Sequence, residues 1–296
     1  CFNYDVNSPM CPSSKVTRDR RHSPKGRAGL MREWLRLVEA KGVDVLALEQ
    51  NIQNWSVKRL LDKVKNRFNS QFNVKQDDDF SHEVMEAMQG CLACKACASQ
   101  CPIKVDVPDF RARFINLYHS RYFRPLKDHL VANVESMTPI TFDLSQLKAM
   151  PSDERAKSLL IVQDPFTSFY DAKVVEDFML LVSKLGFQPI LLPFKPNGKP
   201  QHVKGFLAKF AKTAKSTADF LNQVYQLNMP MVGLDASLAL CFRDEYKQVL
   251  GDNRGEFEVQ LAHEWLITII DHQNNSTVAN AAKRENIIDY KLFAHC

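Results

Sequence analysis

The sequence CLACKACASQCP, residues 91–102, contains four of the eight cysteines of this 296-residue chain. These four are Cys91, Cys94, Cys97 and Cys101, and Pro102 follows the last of them. Two, two and three residues separate successive cysteines, and several of the residues between them are alanines. A disulfide scaffold is usually a smaller protein and spreads its cysteines more evenly. Such dense clustering therefore favours ligation of a metal group by thiolates in a reducing compartment.

The spacing C-x2-C-x2-C-x3-C-P is the cysteine run that ligates iron–sulfur clusters in bacterial ferredoxins. Three cysteines at every third residue of a tight loop can surround three corners of a cubic [4Fe–4S] cluster. Small residues between them allow backbone N–H groups to approach the sulfides. Zinc is instead usually bound by C-x2-C pairs that a long spacer separates. The run predicts a [4Fe–4S] cluster, with zinc as the alternative.

A partial copy of the same run lies at residues 1–12, which read CFNYDVNSPMCP. Cys1 and Cys11 are ten positions apart, like the outer cysteines of the intact run, but Tyr4 and Asn7 occupy the two middle positions. In two-cluster ferredoxins the fourth cysteine of each run ligates the cluster of the other run. This rule predicts a single cluster with the ligand set Cys11, Cys91, Cys94 and Cys97. Local ligation with Cys101 as the fourth ligand is the alternative, and Cys1 has no predicted role.

The positive charge of the chain is concentrated in one short segment. The net charge is +5, and residues 15–27 already account for it with six cations and one anion. A solvated loop is one interpretation, and a docking or anion-attracting patch near a redox centre is the other. Binding of nucleic acid is weakly indicated, because no aromatic residue within the segment could stack on bases.

Hydrophobic periodicity predicts two domains joined by a linker. Residues 1–135 are expected to form a mainly helical, ferredoxin-like iron–sulfur domain, and residues 136–157 a linker. Residues 158–296 alternate apolar strands with amphipathic helices, which is typical of βαβ units and a small parallel sheet. The predicted helices are 24–41, 55–68, 81–89, one from 107 onward, 171–185, 204–227 and 236–250, and the predicted strands are 158–162, 188–193, 230–234 and 290–296.

Composition narrows the class of protein. No apolar run approaches the roughly 20 residues that a membrane-spanning helix needs, and no signal-peptide pattern is visible. The chain begins with Cys1 rather than Met, so it is expected to be a piece of a longer protein. The expected location is the cytoplasm, with peripheral attachment to the inner face of the membrane left open.

The combined motifs resemble a known family. CFNYD and MCPS, then TRDRRHSPKGRAGLMREWL (17–35) and CLACKACASQCP, are similar to the C-terminal iron–sulfur portion of fused FAD-linked oxidases. Within these, the bacterial FAD- and iron–sulfur-containing D-2-hydroxyglutarate dehydrogenases are the nearest group, related to D-lactate dehydrogenases and glycolate oxidase. GLDASLALCFRDEY (233–246) resembles part of the cysteine-rich repeat domain that follows in such enzymes. Leu238 replaces a cysteine of that repeat, and FKPNGKP (194–200) lacks another cysteine element, so the repeat is expected to be degenerate and truncated at its C-terminal end.

The resemblance implies the electron-transfer portion of a flavin-dependent D-2-hydroxy acid dehydrogenase. FAD would be bound by an N-terminal portion of the same polypeptide, and electrons would pass through the [4Fe–4S] cluster to an unidentified acceptor. No catalytic residue is assigned to this chain, no nucleic acid is expected, and homo-oligomerisation is left open. The competing interpretations are a zinc-stabilised basic module that binds nucleic acid or an acidic partner, and a scaffold whose cluster no longer transfers electrons.

Overall fold

The structure is a computed structural model, and it describes residues 5, 8, 10–52, 80–137 and 144–274. The chain divides into two compact units. The first unit contains the residues up to Val134 together with Pro200–Phe210, and the second contains Glu135–Lys199 and the residues from Ala211 onward. The domain bounds given above from sequence remain a prediction.

The described part of the first unit consists of helices connected by turns. Its longer helices are Pro24–Ala40, Ser81–Gln89, Val107–Arg121 and Leu126–Asn133, and its shorter ones are Pro12–Thr17, Val45–Asn51 and Ala96–Gln100. Ser23 begins the first long helix as the sequence predicts, because its side chain accepts a hydrogen bond from the Gly26 N–H at 3.0 Å. Asp106 caps Val107–Arg121 in the same way, through the Asp109 N–H. The core of the unit is formed by Met31, Trp34, Val84, Met85, Met88, Phe114, Ile115 and Leu117.

Pro200–Phe210 belongs to the first unit although it is distant from it in sequence. Arg111 donates a hydrogen bond to the carbonyl of Val203, and Arg124 donates one to the carbonyl of Gly205 at 3.1 Å. Gly205 has a φ of +69°, and a Cβ there would lie 2.8 Å from the backbone nitrogen of Asn116. The segment therefore approaches helix Val107–Arg121 too closely for any residue other than glycine.

The second unit contains a four-stranded parallel sheet, as the alternating pattern predicts. Its strands are β1 (Ser158–Val162), β2 (Gln188–Leu191), β3 (Met231–Gly233) and β4 (Gln260–Leu261), in the order β2-β1-β3-β4. The other α-helices are Ser145–Ala149, Ser152–Ala156, Pro165–Tyr170, Ala172–Lys184, Leu207–Tyr225, Ala236–Arg243, Glu245–Leu250 and Ala262–Asn274. Lys199–Val203 is also a helix, and all of it except Lys199 belongs to the first unit, as does the start of Leu207–Tyr225. One face of the sheet buries Leu159, Ile161, Phe178, Val182, Val232 and Trp265.

Two of the predicted helices are wrong in their bounds. The helix predicted over 204–227 begins only at Leu207, because Gly205 lies in a left-handed turn before it. The helix predicted over 236–250 is divided into two at Asp244, which ends one helix and precedes the next. Strand β4 and the helix that follows it were not predicted from the sequence, since a two-residue strand is too short to show a period.

Several predictions fall outside the described residues. These are the helix at 55–68, the strand at 290–296, and the positions of Cys1, Tyr4, Asn7 and Cys296. Among the helices that are described, none combines the length and the apolar character required to cross a bilayer.

Candidate metal centre

A tight loop holds Cys91 and Cys94, and Cys97 lies in the first turn of helix Ala96–Gln100, which follows the loop. Helix Ser81–Gln89 ends just before it, and the Cys91 N–H donates to the carbonyl of Met88 at 3.1 Å. Ala93 and Lys95 have φ values of 55° and 60°, so the backbone turns twice through the left-handed region within three residues. The backbone therefore changes direction sharply between Cys91 and Cys97.

Cys11 joins the loop from a distant part of the sequence. It lies immediately before helix Pro12–Thr17, is buried, and its Sγ lies 3.8 Å from the carbonyl oxygen of His22. One cavity is lined by the side chains of Cys11, Cys91, Cys94 and Cys97. The structure therefore brings together, around a single space, the four cysteines of the predicted ligand set.

Cys101 is placed differently from these four. It follows helix Ala96–Gln100, is partly exposed, and does not line the cavity. The backbone N–H groups of Val105 and Ile103 lower the pKa of its thiol. Hydrogen bonds from the local backbone therefore stabilise the thiolate of Cys101, which lies outside the cavity that the other four cysteines line.

Burial favours the protonated form of two thiols in the cavity, those of Cys94 and Cys97. It raises the pKa of Cys97 to about 11, although a backbone hydrogen bond from Val107 acts in the opposite direction. Burial also raises the pKa of Cys94, opposed by a backbone hydrogen bond from Ala96. At neutral pH these two thiols keep their protons unless a cationic group replaces them, as occurs when cysteine ligates a metal.

Arg27 is the last cation of the basic segment and the one that is buried in the core. Its side chain is 1% exposed, whereas Arg18, Arg20, Arg21 and Lys25 are all exposed. It lines the cavity, and its guanidinium lies 3.6 Å from the Sγ of Cys11. Most of the segment is therefore solvated, and its last residue faces the cysteines.

Two further charged groups near the loop were not assigned from sequence. Lys95, which is largely buried, forms an ion pair with Asp106 at 3.2 Å. Arg111 is buried and donates to the carbonyl of Met88 at 2.8 Å. A signal for Arg111 existed, because it lies four residues before Ile115 on the apolar stripe of its helix, where an arginine is unusual.

Helix Pro24–Ala40 provides a test of how closely the site is packed. A Cβ added to Gly26 would lie 2.0 Å from the carbonyl oxygen of Arg20, whereas one added to Gly29 would have no atom within 4 Å. Gly26→Ala is expected to destabilise the first unit by about 1–3 kcal/mol through overpacking. Gly29→Ala is expected to stabilise it by about 0.5–1 kcal/mol, since alanine favours a helix over glycine. Amide hydrogen exchange of residues 24–40 measures both changes in stability. If the two variants changed stability in the same direction, the close approach of Gly26 to the carbonyl of Arg20 would be contradicted.

A cluster and a single zinc ion make different demands on thiol ligands. Four cysteines line this cavity, and four thiolates are the ligands of a [4Fe–4S] cluster. Within the part of the chain that the structure describes, no group of three or more His, Cys, Asp or Glu side chains is set to hold a metal ion. A tetrahedral zinc site needs its sulfurs to meet at about 2.3 Å from one point, whereas a cluster binds each thiolate to a different iron.

Curated proteins match this chain from end to end. The protein from Escherichia coli (strain K12) is 50% identical over 346 aligned residues, which take in 100% of this chain and 33% of the relative. Those from Pantoea ananatis and Haemophilus influenzae are 48% and 44% identical, with the same shares of each chain. All three are named D-2-hydroxyglutarate dehydrogenase.

This chain is similar along its whole length to part of D-2-hydroxyglutarate dehydrogenases. It spans about a third of the length of these relatives. The resemblance inferred from the cysteine motifs is therefore confirmed at the level of the family name. No protein-family model matches the chain, and no solved structure matches it either.

Proposed function

We propose that this chain is the electron-transfer portion of a flavin-dependent dehydrogenase of D-2-hydroxy acids, with D-2-hydroxyglutarate as the substrate. The observation that carries the proposal is the cavity lined by four cysteines from two distant parts of the chain. Its location in a chain that is similar to D-2-hydroxyglutarate dehydrogenases supports a redox role for these thiols.

In this proposal one [4Fe–4S] cluster is held by Cys11, Cys91, Cys94 and Cys97, and Cys101 is not a ligand. When bound, the cluster supplies one-electron transfer, because iron changes valence without the breaking of bonds. The chain itself provides the enclosure: Met88 and Val107, which flank the loop, are almost completely buried. Backbone N–H groups of Ala96 and Val107 hydrogen-bond the sulfurs of Cys94 and Cys97, which offsets the cost of burying thiolates.

FAD and the hydroxy acid are proposed to bind in the part of the polypeptide that lies outside this chain. The first unit would be a helical ferredoxin-like domain, and the second a degenerate cysteine-rich repeat that has lost any metal-binding role. Cytoplasmic location remains a prediction, and nothing found here supports peripheral attachment to the membrane. The alternative of a zinc-stabilised module that binds nucleic acid also finds no support among the relatives.

The proposal predicts a brown protein with bound iron and sulfide. Anaerobic preparation of the complete polypeptide that carries this chain is expected to give about four iron and four acid-labile sulfide per chain. Absorption near ~400 nm and elemental analysis measure this. A colourless protein that contains zinc and no iron would refute the cluster.

Reduction by substrate tests whether the cluster lies on the electron path. D-2-hydroxyglutarate added anaerobically is expected to bleach the flavin and to generate the electron paramagnetic resonance (EPR) signal of a reduced cluster. L-2-hydroxyglutarate serves as the control of identical charge. A cluster that dithionite reduces and the substrate does not would indicate a structural scaffold instead.

A further inference from the structure

Two buried arginines flank the cysteine loop, one from each neighbouring long helix. Arg27 lies on helix Pro24–Ala40 and Arg111 on helix Val107–Arg121, and their side chains are 1% and 5% exposed. Removing a charged group from water costs several kcal/mol, so a buried guanidinium requires compensation from its surroundings. The hydrogen-bond acceptors of these two guanidinium groups therefore indicate the role of their positive charges.

Both arginines bind the end of the helix that leads into the loop. The Nε of Arg27 donates to the carbonyl of Ala87, and the Nε of Arg111 to the carbonyl of Met88, each at 2.8 Å. These are adjacent carbonyls in the last turn of Ser81–Gln89, where the helix dipole favours a cation. The two arginines thus hold the C-terminal end of helix Ser81–Gln89, which leads directly to Cys91.

Arg27 also reaches the second part of the chain that supplies a thiol. Its two terminal nitrogens lie 3.6 Å from the Sγ of Cys11 and 3.0 Å from the Oγ of Ser13. A Cβ on Gly90, the residue before Cys91, would lie 3.5 Å from the same guanidinium. One charged group is therefore in contact with both segments that converge on the cavity.

Among the described residues, neither arginine is in ion-pair contact with a carboxylate, although the charge of Asp128 acts on Arg111. In the regions that the structure describes, their hydrogen bonds go to carbonyl, hydroxyl and thiol groups. Lys95, the third buried cation near the loop, differs because Asp106 pairs with it. Burial lowers the pKa of Arg111, Cys91 and Asp128 raise it, and Arg27 lowers it, so the charges of the two arginines act on each other and on the loop.

We propose that the buried charge of Arg27, and to a smaller extent that of Arg111, raises the reduction potential of the cluster. The inference rests on the proposed function. Uptake of one electron adds one negative charge to the cluster and its thiolates, and no bond forms or breaks. A buried cation stabilises the reduced form more than the oxidised form, and potentials of such clusters respond to nearby charge and hydrogen bonding.

The test is a potentiometric titration of the complete polypeptide, with dithionite as reductant and the EPR signal of the reduced cluster as readout. Arg27→Gln is expected to lower the equilibrium constant for reduction at least tenfold, a shift of about 59 mV to more negative potential for a one-electron couple. Arg111→Gln is expected to shift it in the same direction by less. Arg27→Lys, which keeps the charge, is expected to remain closer to the unmodified protein than Arg27→Gln.

Arg32→Gln is the matched control, because Arg32 lies exposed on the same helix as Arg27. It is expected to leave the potential unchanged. A full complement of iron with an unchanged potential in both Arg27→Gln and Arg111→Gln would overturn the inference. If the Gln variants lose iron, retention of iron by Arg27→Lys supports a role for the charge, and equal loss in the Lys variant overturns it.

Different results would refute the proposed function and the role of the two arginines. Absence of iron and sulfide from the unmodified protein would refute the proposed function. A normal cluster whose potential is indifferent to both arginines would refute this inference alone.

Discussion

Replacing Cys11 by serine is expected to remove most of the bound iron, whereas replacing Cys101 by serine is expected to leave it bound. The reason is geometric, since Cys11 lines the cavity with Cys91, Cys94 and Cys97, and Cys101 does not. A serine oxygen is a harder donor than thiolate, and soft thiolate ligands select iron–sulfur clusters. Iron and acid-labile sulfide per chain, measured after anaerobic purification, give the result.

A third cysteine provides the control for this comparison. Cys241 is fully buried in helix Ala236–Arg243 of the second unit, so Cys241→Ala removes a thiol without touching the cavity. Iron content in that variant should match the unmodified protein. The opposite pattern, with iron lost on changing Cys101 and kept on changing Cys11, would show that the fourth ligand is local and that the borrowed-ligand rule does not apply here.

Local signals predicted the elements that carry the cysteines. Ser23 followed by Pro24, and Asp106 before Val107, are helix-start signals that depend on a few adjacent residues. The structure begins its helices at both places. The cysteine spacing is also local, so the intact run could be assigned before any tertiary contact was known.

The burial of Arg27 was harder to predict from the sequence, although the hydrophobic periodicity of its helix indicates it. Arg27, Met31 and Trp34 follow one another at helical spacing, so the arginine shares the face of two core residues. Within the basic segment its charge is the same as that of Arg20 or Arg21, and composition cannot separate them. Only the helical period distinguishes the cation that faces inward from those that face water.

Contacts between distant segments could not be predicted from the sequence. Pro200–Phe210 belongs to the first unit through bonds from Arg111 and Arg124, which lie about ninety and eighty residues earlier in the chain. Gly205 gives no sign, in sequence alone, that helix Val107–Arg121 lies against it. Such pairings depend on how whole elements pack, and a single sequence contains no period or cap that reports them.

The FKPNGKP loop of the second unit depends on one such distant contact. Lys199 forms an ion pair with Glu245, and their side chains are 9% and 0% exposed. The loop is also held by Tyr246, whose hydroxyl donates to the carbonyl of Asn197 at 2.8 Å. Because both charges are buried, each is tolerated only in the presence of the other.

Lys199→Met is therefore expected to lower the free energy of unfolding of the second unit by about 3–5 kcal/mol, since it leaves the charge of Glu245 buried without its cation. The double variant Lys199→Met with Glu245→Gln is expected to recover part of this loss, because the remaining group is neutral.

Lys215→Met, which breaks an exposed pair with Asp219, should change stability by less than about 1 kcal/mol. Amide hydrogen exchange at β1 and β3 reports the free energy of the sheet in each variant. If the single variant at Lys199 were no more destabilising than the one at Lys215, the buried pair would have no part in holding the loop to helix Glu245–Leu250. Apolar packing alone would then have to keep the loop in place.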